Sequence, residues 1–195
     1  MIGDSSHTVA RAAVLLEPTA EEAQSEPLYR EVEKDGSFEL QGVTDGSYAL
    51  QVFLPEQGWF VKSAHLGNED AFQNGVQVED GTAKGNLEIA VSNEGGQLEG
   101  AVTDSEKNQL VVGAQVKLRV DPESEYNRSR FKQVNTDQNG HFIIKDLPPG
   151  KYKLTARIPS PEEGAPAIKS DPVAVTLGER EHRTVDIKLA VPKSE

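Results

Sequence analysis

Hydrophobic and polar side chains alternate along many short stretches of the chain. In one of them Val116, Leu118 and Val120 are separated by Lys117 and Arg119. Successive side chains of a strand point to opposite faces of a sheet, so a period of two predicts strands with one buried face. We find no stretch with the 3.6-residue period of an amphipathic helix. The pattern therefore predicts an all-β protein.

Turn-forming dipeptides separate these stretches, among them Asp35-Gly36, Asp45-Gly46 and Asn139-Gly140. Short strands with frequent turns favour a β-sandwich over alternating strands and helices. The predicted strands of the first half are residues 8–16, 27–33, 37–42, 47–54, 58–65, 75–79 and 86–92. Those of the second half are residues 96–103, 114–120, 129–136, 141–145, 151–158, 172–177 and 182–190.

The sequence of residues 35–40, DGSFEL, returns 104 positions later as NGHFII at residues 139–144. The same offset places Tyr48 on Tyr152 and, going backwards, Leu16 on Val120. After an insertion at residues 59–74 the halves realign with Val76 on Val173. An internal repeat predicts two copies of one structural unit. We therefore expect two domains, residues 1–94 and residues 95–195, joined by a short glycine-containing link.

The opening strand of the second copy, residues 97–103, has no counterpart in the first copy, because at this offset it would precede Met1. The first copy is therefore expected to lack its opening strand, and the chain to be a fragment of a longer array. A bare sheet edge invites association, so residues 1–7 or a neighbouring element should cover it.

The inward positions of the alternating stretches predict two separate cores. The first is expected to contain Val14, Leu16, Phe38, Leu40, Tyr48, Leu50, Val52, Leu87 and Ile89. The second is expected to contain Val116, Leu118, Phe142, Ile144, Tyr152, Leu154, Val175, Val185 and Ile187.

Composition removes several classes of function. The net charge of −12 argues against a nucleic-acid partner, because phosphate binding needs basic surface. The chain has no cysteine, which excludes disulfides, thiolate metal sites and cysteine nucleophiles. No apolar run approaches the length of a membrane span, and residues 1–7 do not form a secretory signal. If the protein is exported, its signal is expected outside this chain.

The charge is divided unevenly between the halves. Residues 1–94 contain 5 basic and 17 acidic residues, whereas residues 95–195 contain 15 of each. In the second half, basic residues that alternate with core residues should face solvent: Lys117, Arg119, Arg130, Lys132, Lys151 and Lys153. They form either a solvated face or a basic stripe that meets an acidic neighbour.

Candidate catalytic and metal-binding groups are sparse. The histidines are isolated in sequence, so no catalytic set is expected and no cofactor is predicted. Asn135, Asp137 and Asn139 are spaced like the start of a calcium loop, with Asp146 at the twelfth position. The competing interpretation is a β-turn capped by its own Asp and Asn side chains, which the flanking strands favour.

Three aromatic residues are candidate ligand contacts: Trp59, Phe60 and Tyr126. Aromatic faces stack on sugars or on protein partners. The alternative is that Trp59 packs on its own sandwich, since aromatic residues are more often buried. Asn127 begins a glycosylation sequon in a polar loop, residues 121–129, that is expected to be solvated.

The second half resembles the carboxypeptidase regulatory-like domain. The resemblance rests on G-x-V-x-D at residues 100–104, G-A-x-V-x-L at 113–118, T-D-x-x-G-x-F at 136–142 and L-P-P-G-x-Y-x-L at 147–154. The first half keeps D-G-S-F at 35–38 and D-G-S-Y at 45–48. The resemblance implies two tandem seven-stranded Greek-key β-sandwiches, of the transthyretin-like or carbohydrate-binding-like fold. It also implies modules that accompany catalytic or surface domains without performing chemistry.

These observations favour a non-catalytic structural or interaction module, a spacer or adhesion segment of a larger exported protein. The expected location is extracellular, cell-surface or periplasmic. The expected partners are neighbouring domains of the parent protein, a glycan or a surface protein. Two alternatives remain open: a carbohydrate-binding module and an accessory domain of an adjacent peptidase.

Overall fold

The computed structural model describes residues 11–19, 26–158 and 167–189, and the chain folds into two compact units. Unit 1 comprises residues 1–94 and 123–129, and unit 2 comprises residues 95–122 and 130–195. Both are built almost wholly of strands, which confirms the all-β prediction. The domain border after residue 94 stays a prediction. Residues 1–7, which were expected to cover the open edge, residues 8–10 of the first predicted strand and residue 190 lie outside the described residues.

Unit 2 contains two sheets that enclose one core. Its strands are β9 (Gly96–Asp104), β10 (Gln115–Val120), β11 (Phe131–Asn135), β12 (His141–Leu147), β13 (Gly150–Ile158), β14 (Ile168–Lys169), β15 (Val173–Leu177), β16 (His182–Thr184) and β17 (Ile187–Leu189). One sheet has the order β11-β10-β13, with β14 and β15 along the far edge of β13. The other places β9 between β12 and the interrupted edge formed by β16 and β17.

The interruption between β16 and β17 is held by β9. The backbone N–H of Val185 donates to the carbonyl oxygen of Glu99 (2.8 Å), and the N–H of Ala101 donates to the Asp186 carboxylate (3.0 Å). Between these bonds, Gly100 lies so close to Val185 that a Cβ there would overlap its carbonyl oxygen. The opening strand is thus fixed on both edges.

The core of unit 2 matches the sequence prediction closely. Eight of the nine predicted residues are at most 6% exposed, and Val185 is half-buried. Leu98 and Val102 of the opening strand lie at its centre with 0% exposure.

Unit 1 also has two sheets, but they are built differently. Its elements are β1 (Ala13–Pro18), β2 (Leu28–Glu31), β3 (Gly46–Phe53), β4 (Phe60–Leu66), β5 (Glu69–Asp70), α1 (Ala71–Asn74), β6 (Val76–Glu79), β7 (Thr82–Ala83) and β8 (Leu87–Ser92). One sheet has the order β2-β1-β3-β6-β7, and the other has the order β5-β4-β8.

The predicted strand at residues 37–42 is wrong, because this segment is coil. Its counterpart in unit 2, β12, is held in place by pairing with β9. The described part of unit 1 has no strand that corresponds to β9, so residues 37–42 have no ladder to join. Instead β4, from the insertion at residues 59–74, pairs with the last strand β8.

The turns before and after this coil are the same in both units. The N–H of Glu33 donates to the carbonyl oxygen of Ser37, as that of Asp137 does to His141 (both 2.8 Å). The Tyr48 hydroxyl donates to the carbonyl oxygen of Thr44 (2.8 Å), as that of Tyr152 does to Pro148 (2.6 Å). These bonds support the offset of 104 residues for this part of the chain.

The offset is wrong for the neighbouring strands. Leu16 lies opposite Leu50, and Leu118 lies opposite Leu154, so Leu16 corresponds to Leu118 and not to Val120. In the same way Val76, opposite Tyr48, corresponds to Val175, opposite Tyr152. A slip of two residues leaves every side chain on its predicted face.

The predicted core of unit 1 is confirmed at its centre and looser at one end. Val14, Leu16, Tyr48, Leu50 and Ile89 are at most 1% exposed. The remaining predicted residues are half-buried and pack against this cluster: Phe38, Leu40, Val52 and Leu87.

Candidate interaction surfaces

The family motif of unit 2 uses its polar groups to hold turns. One Asp137 carboxylate oxygen accepts from the backbone N–H groups of Asn139 (2.8 Å) and His141 (2.9 Å). These bonds, that of His141 foremost, hold the pKa of Asp137 below its ordinary value. The geometry is that of a capped β-turn. Among the described residues, no three His, Asp or Glu side chains are grouped as metal ligands.

Two further motif residues are buried and bonded within unit 2. The Thr136 hydroxyl donates to the carbonyl oxygen of Val111 (2.7 Å) and accepts from the N–H of Ala114 (2.9 Å). The Asp104 carboxylate accepts from the N–H groups of Glu106 (2.8 Å) and Lys107 (3.2 Å), which lowers its pKa. These side chains stabilise loops and leave little capacity for a ligand.

The three aromatic candidates occupy different environments in unit 1. Phe60 begins β4 and is only 7% exposed, but it does not belong to the core cluster of unit 1. Trp59 is half-buried and packs against that core. Tyr126 lies over Gly75, and its hydroxyl accepts from the Gln77 amide (3.3 Å). Their role as ligand contacts stays a prediction.

The loop around Tyr126 is exposed at most positions, as its polarity predicts, but not at Asn127. Asn127 is only 3% exposed, because its amide donates to the side-chain oxygen of Gln73 (3.1 Å) and its own side-chain oxygen accepts from the N–H of Ser124 (2.9 Å). An amide held in this way is poorly accessible to a glycosylating enzyme. The sequence feature that could have indicated this burial is a single aromatic residue, Tyr126, within an otherwise polar loop.

A basic face covers the outward side of the β11-β10-β13 sheet. We use this name for Lys117, Arg119, Lys151, Lys153, Arg157 and Lys169. Arg119 lies directly opposite Lys153, and Arg157 lies directly opposite Lys169. Like charges directly opposite each other destabilise a sheet. The face therefore concentrates positive charge, although residues 95–195 contain as many acidic as basic residues.

Local contacts anchor this face. The Lys117 ammonium lies 3.9 Å from the ring centroid of Phe131, which is 46% exposed. Lys153 forms an ion pair with Asp121 (2.8 Å). Sequence reasoning missed Arg157 and Lys169, the latter because its strand of two residues gives no periodic signal.

Lys132 does not belong to the basic face, and its prediction as a solvent-facing residue is wrong. It pairs with Leu118, so it shares the inward face of the sheet. Its ammonium donates to the backbone carbonyl oxygens of Lys145 and Asp146, at the bulge in β12. Burial lowers its pKa, opposed by the charge of Asp146. Lys132 thus links the edges of the two sheets.

The equivalent face of unit 1 has the opposite character. The outward positions of β2, β1 and β3 carry Glu17, Glu31, Tyr29 and Phe53. The two aromatic side chains are 51% and 47% exposed. Among the described residues, no helix is long and apolar enough to cross a membrane.

Two sheets around one apolar core place unit 2 in the class of β-sandwich domains. Residues 97–190 match the family model of the carboxypeptidase regulatory-like domain, which confirms the resemblance for this part of the chain. No curated protein matches the chain.

Several solved structures are similar to this chain at a low level. A minor pilin of Streptococcus agalactiae is 15% identical to this chain, with a TM-score of 0.38, and the match covers 95% of this chain and 84% of the pilin chain. A shaft pilin of Lactobacillus rhamnosus is 11% identical, covers 95% and 86%, and has a TM-score of 0.40. The 5-hydroxyisourate hydrolase of Klebsiella pneumoniae is 17% identical, covers 49% and 84%, and has a TM-score of 0.34. Likenesses this weak carry no conclusion about function.

Proposed function

We propose that the chain is a non-catalytic interaction segment of a larger exported protein and that the basic face of unit 2 binds an acidic protein surface. The observation that carries the proposal is the cluster of basic residues on one sheet face, where Arg119 lies opposite Lys153 and Arg157 opposite Lys169 in the strand register. A sheet that keeps such pairs gains a concentrated positive field, which steers and orients an acidic partner.

The chemistry of the motif residues supports the non-catalytic part of the proposal. Thr136, Asp104 and Asp137 are each committed to backbone hydrogen bonds. A catalytic set requires groups free to reach one another and a substrate. A charged sheet face and motif residues that are bonded to backbone groups support the role of a spacer or adhesion segment.

The acidic partner that we favour is the first unit of another copy. Residues 1–94 carry a net charge of −12, and their outward sheet presents Glu17 and Glu31. A contact between different faces of two copies is head-to-tail and extends into a row. Because the contact depends on exposed charges, the association should be weak and strongly salt-dependent.

Light scattering on the full chain at low and high salt tests this proposal. We expect concentration-dependent association at low salt that disappears at high salt. The variant Lys151→Glu/Lys169→Glu should remove it, whereas Lys145→Glu/Lys188→Glu changes the same charge on the other sheet and should have little effect. Association that does not change with salt concentration, or that is reduced equally by the two variants, would contradict the proposal. Glycan binding that is lost in Trp59→Ala would instead support a carbohydrate-binding module.

A further inference from the structure

Unit 1 contains an open pocket of about 440 Å³ between the coil at residues 37–43 and the ends of β4 and β8. This volume lies within the range of ordinary ligand sites. Hydrophobic side chains make up most of its lining: Leu16, Phe38, Leu40, Val43, Leu66, Val76, Val78, Ala83 and Leu87. Glu39 and Asn86 add polar groups.

Unit 2 has the same lining without the pocket. The shared turns place Phe38, Leu40 and Val43 on Phe142, Ile144 and Leu147. The strand registers place the other three matching side chains, Leu16, Val76 and Val78, on Leu118, Val175 and Leu177. All six residues of unit 2 are at most 6% exposed. Some part of unit 2 therefore fills the space that is open in unit 1.

The beginning of β9 fills this space. Leu98, with 0% exposure, lies opposite Ile144, and Gly96 lies opposite Leu147. Gly96 approaches the neighbouring strand so closely that a Cβ would lie 2.7 Å from Leu177 Cδ2. One leucine on an extended Gly-Gln-Leu segment thus closes the corner of the sandwich.

In unit 1 the substituting strand is too short to reach this corner. β4 runs antiparallel to β8 and ends with Leu66 opposite Leu87. The chain then turns at Gly67, whose N–H donates to the carbonyl oxygen of Asn86 (3.1 Å). Among the described residues of unit 1, none pairs with the coil at Leu40 as Leu98 pairs with Ile144 in unit 2.

We propose that this pocket binds an extended segment of another polypeptide, which inserts a leucine-sized aliphatic side chain in the role that Leu98 has in unit 2. A peptide strand is favoured over a small molecule because the coil at residues 37–42 has no ladder partner among the described residues. Its counterpart in unit 2, β12, pairs with β9. We expect the bound peptide to carry basic residues on both sides of its aliphatic side chain, because the first half of the sequence is strongly acidic and Glu39 lines the pocket.

Nuclear magnetic resonance on the full chain tests the proposal. The probe is a synthetic peptide with the sequence of residues 96–104 and a lysine at each end. We expect saturable shifts at the amides of residues 38–43, Leu66 and Leu87. A peptide with asparagine in place of the leucine should bind at least about tenfold more weakly, because one buried aliphatic side chain accounts for that factor.

A pocket-filling variant supplies the second arm. Ala83→Leu fills the lining and should abolish binding, whereas Ala174→Leu adds the same volume on the exposed sheet face of unit 2 and should not. Circular dichroism confirms that both variants fold. Equal binding of the two peptides, shifts confined to unit 2, or unchanged binding by Ala83→Leu would each overturn the proposal.

Discussion

Tyr152 ties the corner between β12 and β13 through one hydrogen bond to the carbonyl oxygen of Pro148. Its side chain is buried, which raises the pKa of its hydroxyl to about 12. Tyr48 makes the corresponding bond to Thr44 in unit 1. In each unit, a tyrosine therefore stabilises the turn before the central strand by donating to the carbonyl oxygen of the residue four positions earlier.

The raised pKa of Tyr152 predicts a loss of stability in alkaline solution. The neutral hydroxyl is favoured in the folded protein, so its contribution is complete below the unfolded pKa of 10.0 and is lost as the pH rises toward about 12. Between pH 10.0 and about pH 12, the ionisation of Tyr152 should lower the free energy of unfolding by up to about 2.7 kcal/mol. Tyr152→Phe should lower it by about 1 kcal/mol at neutral pH and lack this alkaline loss.

Urea denaturation of both proteins at several pH values between 8 and 12 measures the difference. The gap between the wild type and Tyr152→Phe should narrow and then reverse as the pH rises. A gap that stays constant with pH would show that the ionisation of Tyr152 is not linked to folding.

At the scale of elements, the opening strand β9 determines whether the rest of a unit follows its sequence pattern. Where β9 is present, its neighbours β12 and β17 form as the alternation predicts. Its passage past the interrupted edge depends on Gly100, which has no room for a side chain beside Val185.

Gly100→Ala should therefore lower the free energy of unfolding of unit 2 by about 3 kcal/mol, because the new methyl group must displace backbone. The matched control is Gly150→Ala, where the nearest atom to a Cβ is Tyr152 Cε2 at an ordinary 3.7 Å. That substitution should change the free energy of unfolding by less than about 1 kcal/mol. Urea denaturation followed by circular dichroism distinguishes the two variants, and similar losses in both would contradict the steric explanation.

Alternation predicted the faces of the strands well, because a residue's direction depends only on its position along the strand. Val116 and Leu118 point inward and Lys117 outward for that reason. Pairing depends on a partner elsewhere in the chain, so the pattern at residues 37–42 predicted a strand that does not form. Lys132 shows the same limit. It points inward because it pairs with Leu118, whereas its charge predicted that it would face solvent.

At the scale of the whole molecule, a compact unit need not be continuous in sequence. Unit 1 includes residues 123–129, which follow its last strand β8 by about thirty positions. No repeat or turn signal marks this segment, because its contacts come from single side chains. The ring of Tyr126 covers Gly75 so closely that a Cβ there would overlap it. The inclusion of this segment in unit 1 therefore depends on side-chain contacts of Tyr126 and Asn127 that composition does not reveal.

Tyr126→Ala should loosen unit 1 around α1 and β6, since it removes the ring over Gly75 and the bond from Gln77. For a half-buried aromatic residue we expect a loss of about 1–2 kcal/mol, equivalent to roughly a tenfold faster amide hydrogen exchange there. Exchange in β10 and β13 should be unchanged.

Gly75→Ala tests whether the contact itself is responsible. Gly75 has a φ of 72°, so alanine is strained there even without a neighbour. The overlap with Tyr126 adds a second penalty that exists only while the ring is present. Gly75→Ala should therefore destabilise the wild type more than it destabilises Tyr126→Ala. Additive effects in this double-mutant cycle would mean that the Tyr126 ring does not pack on Gly75 in solution.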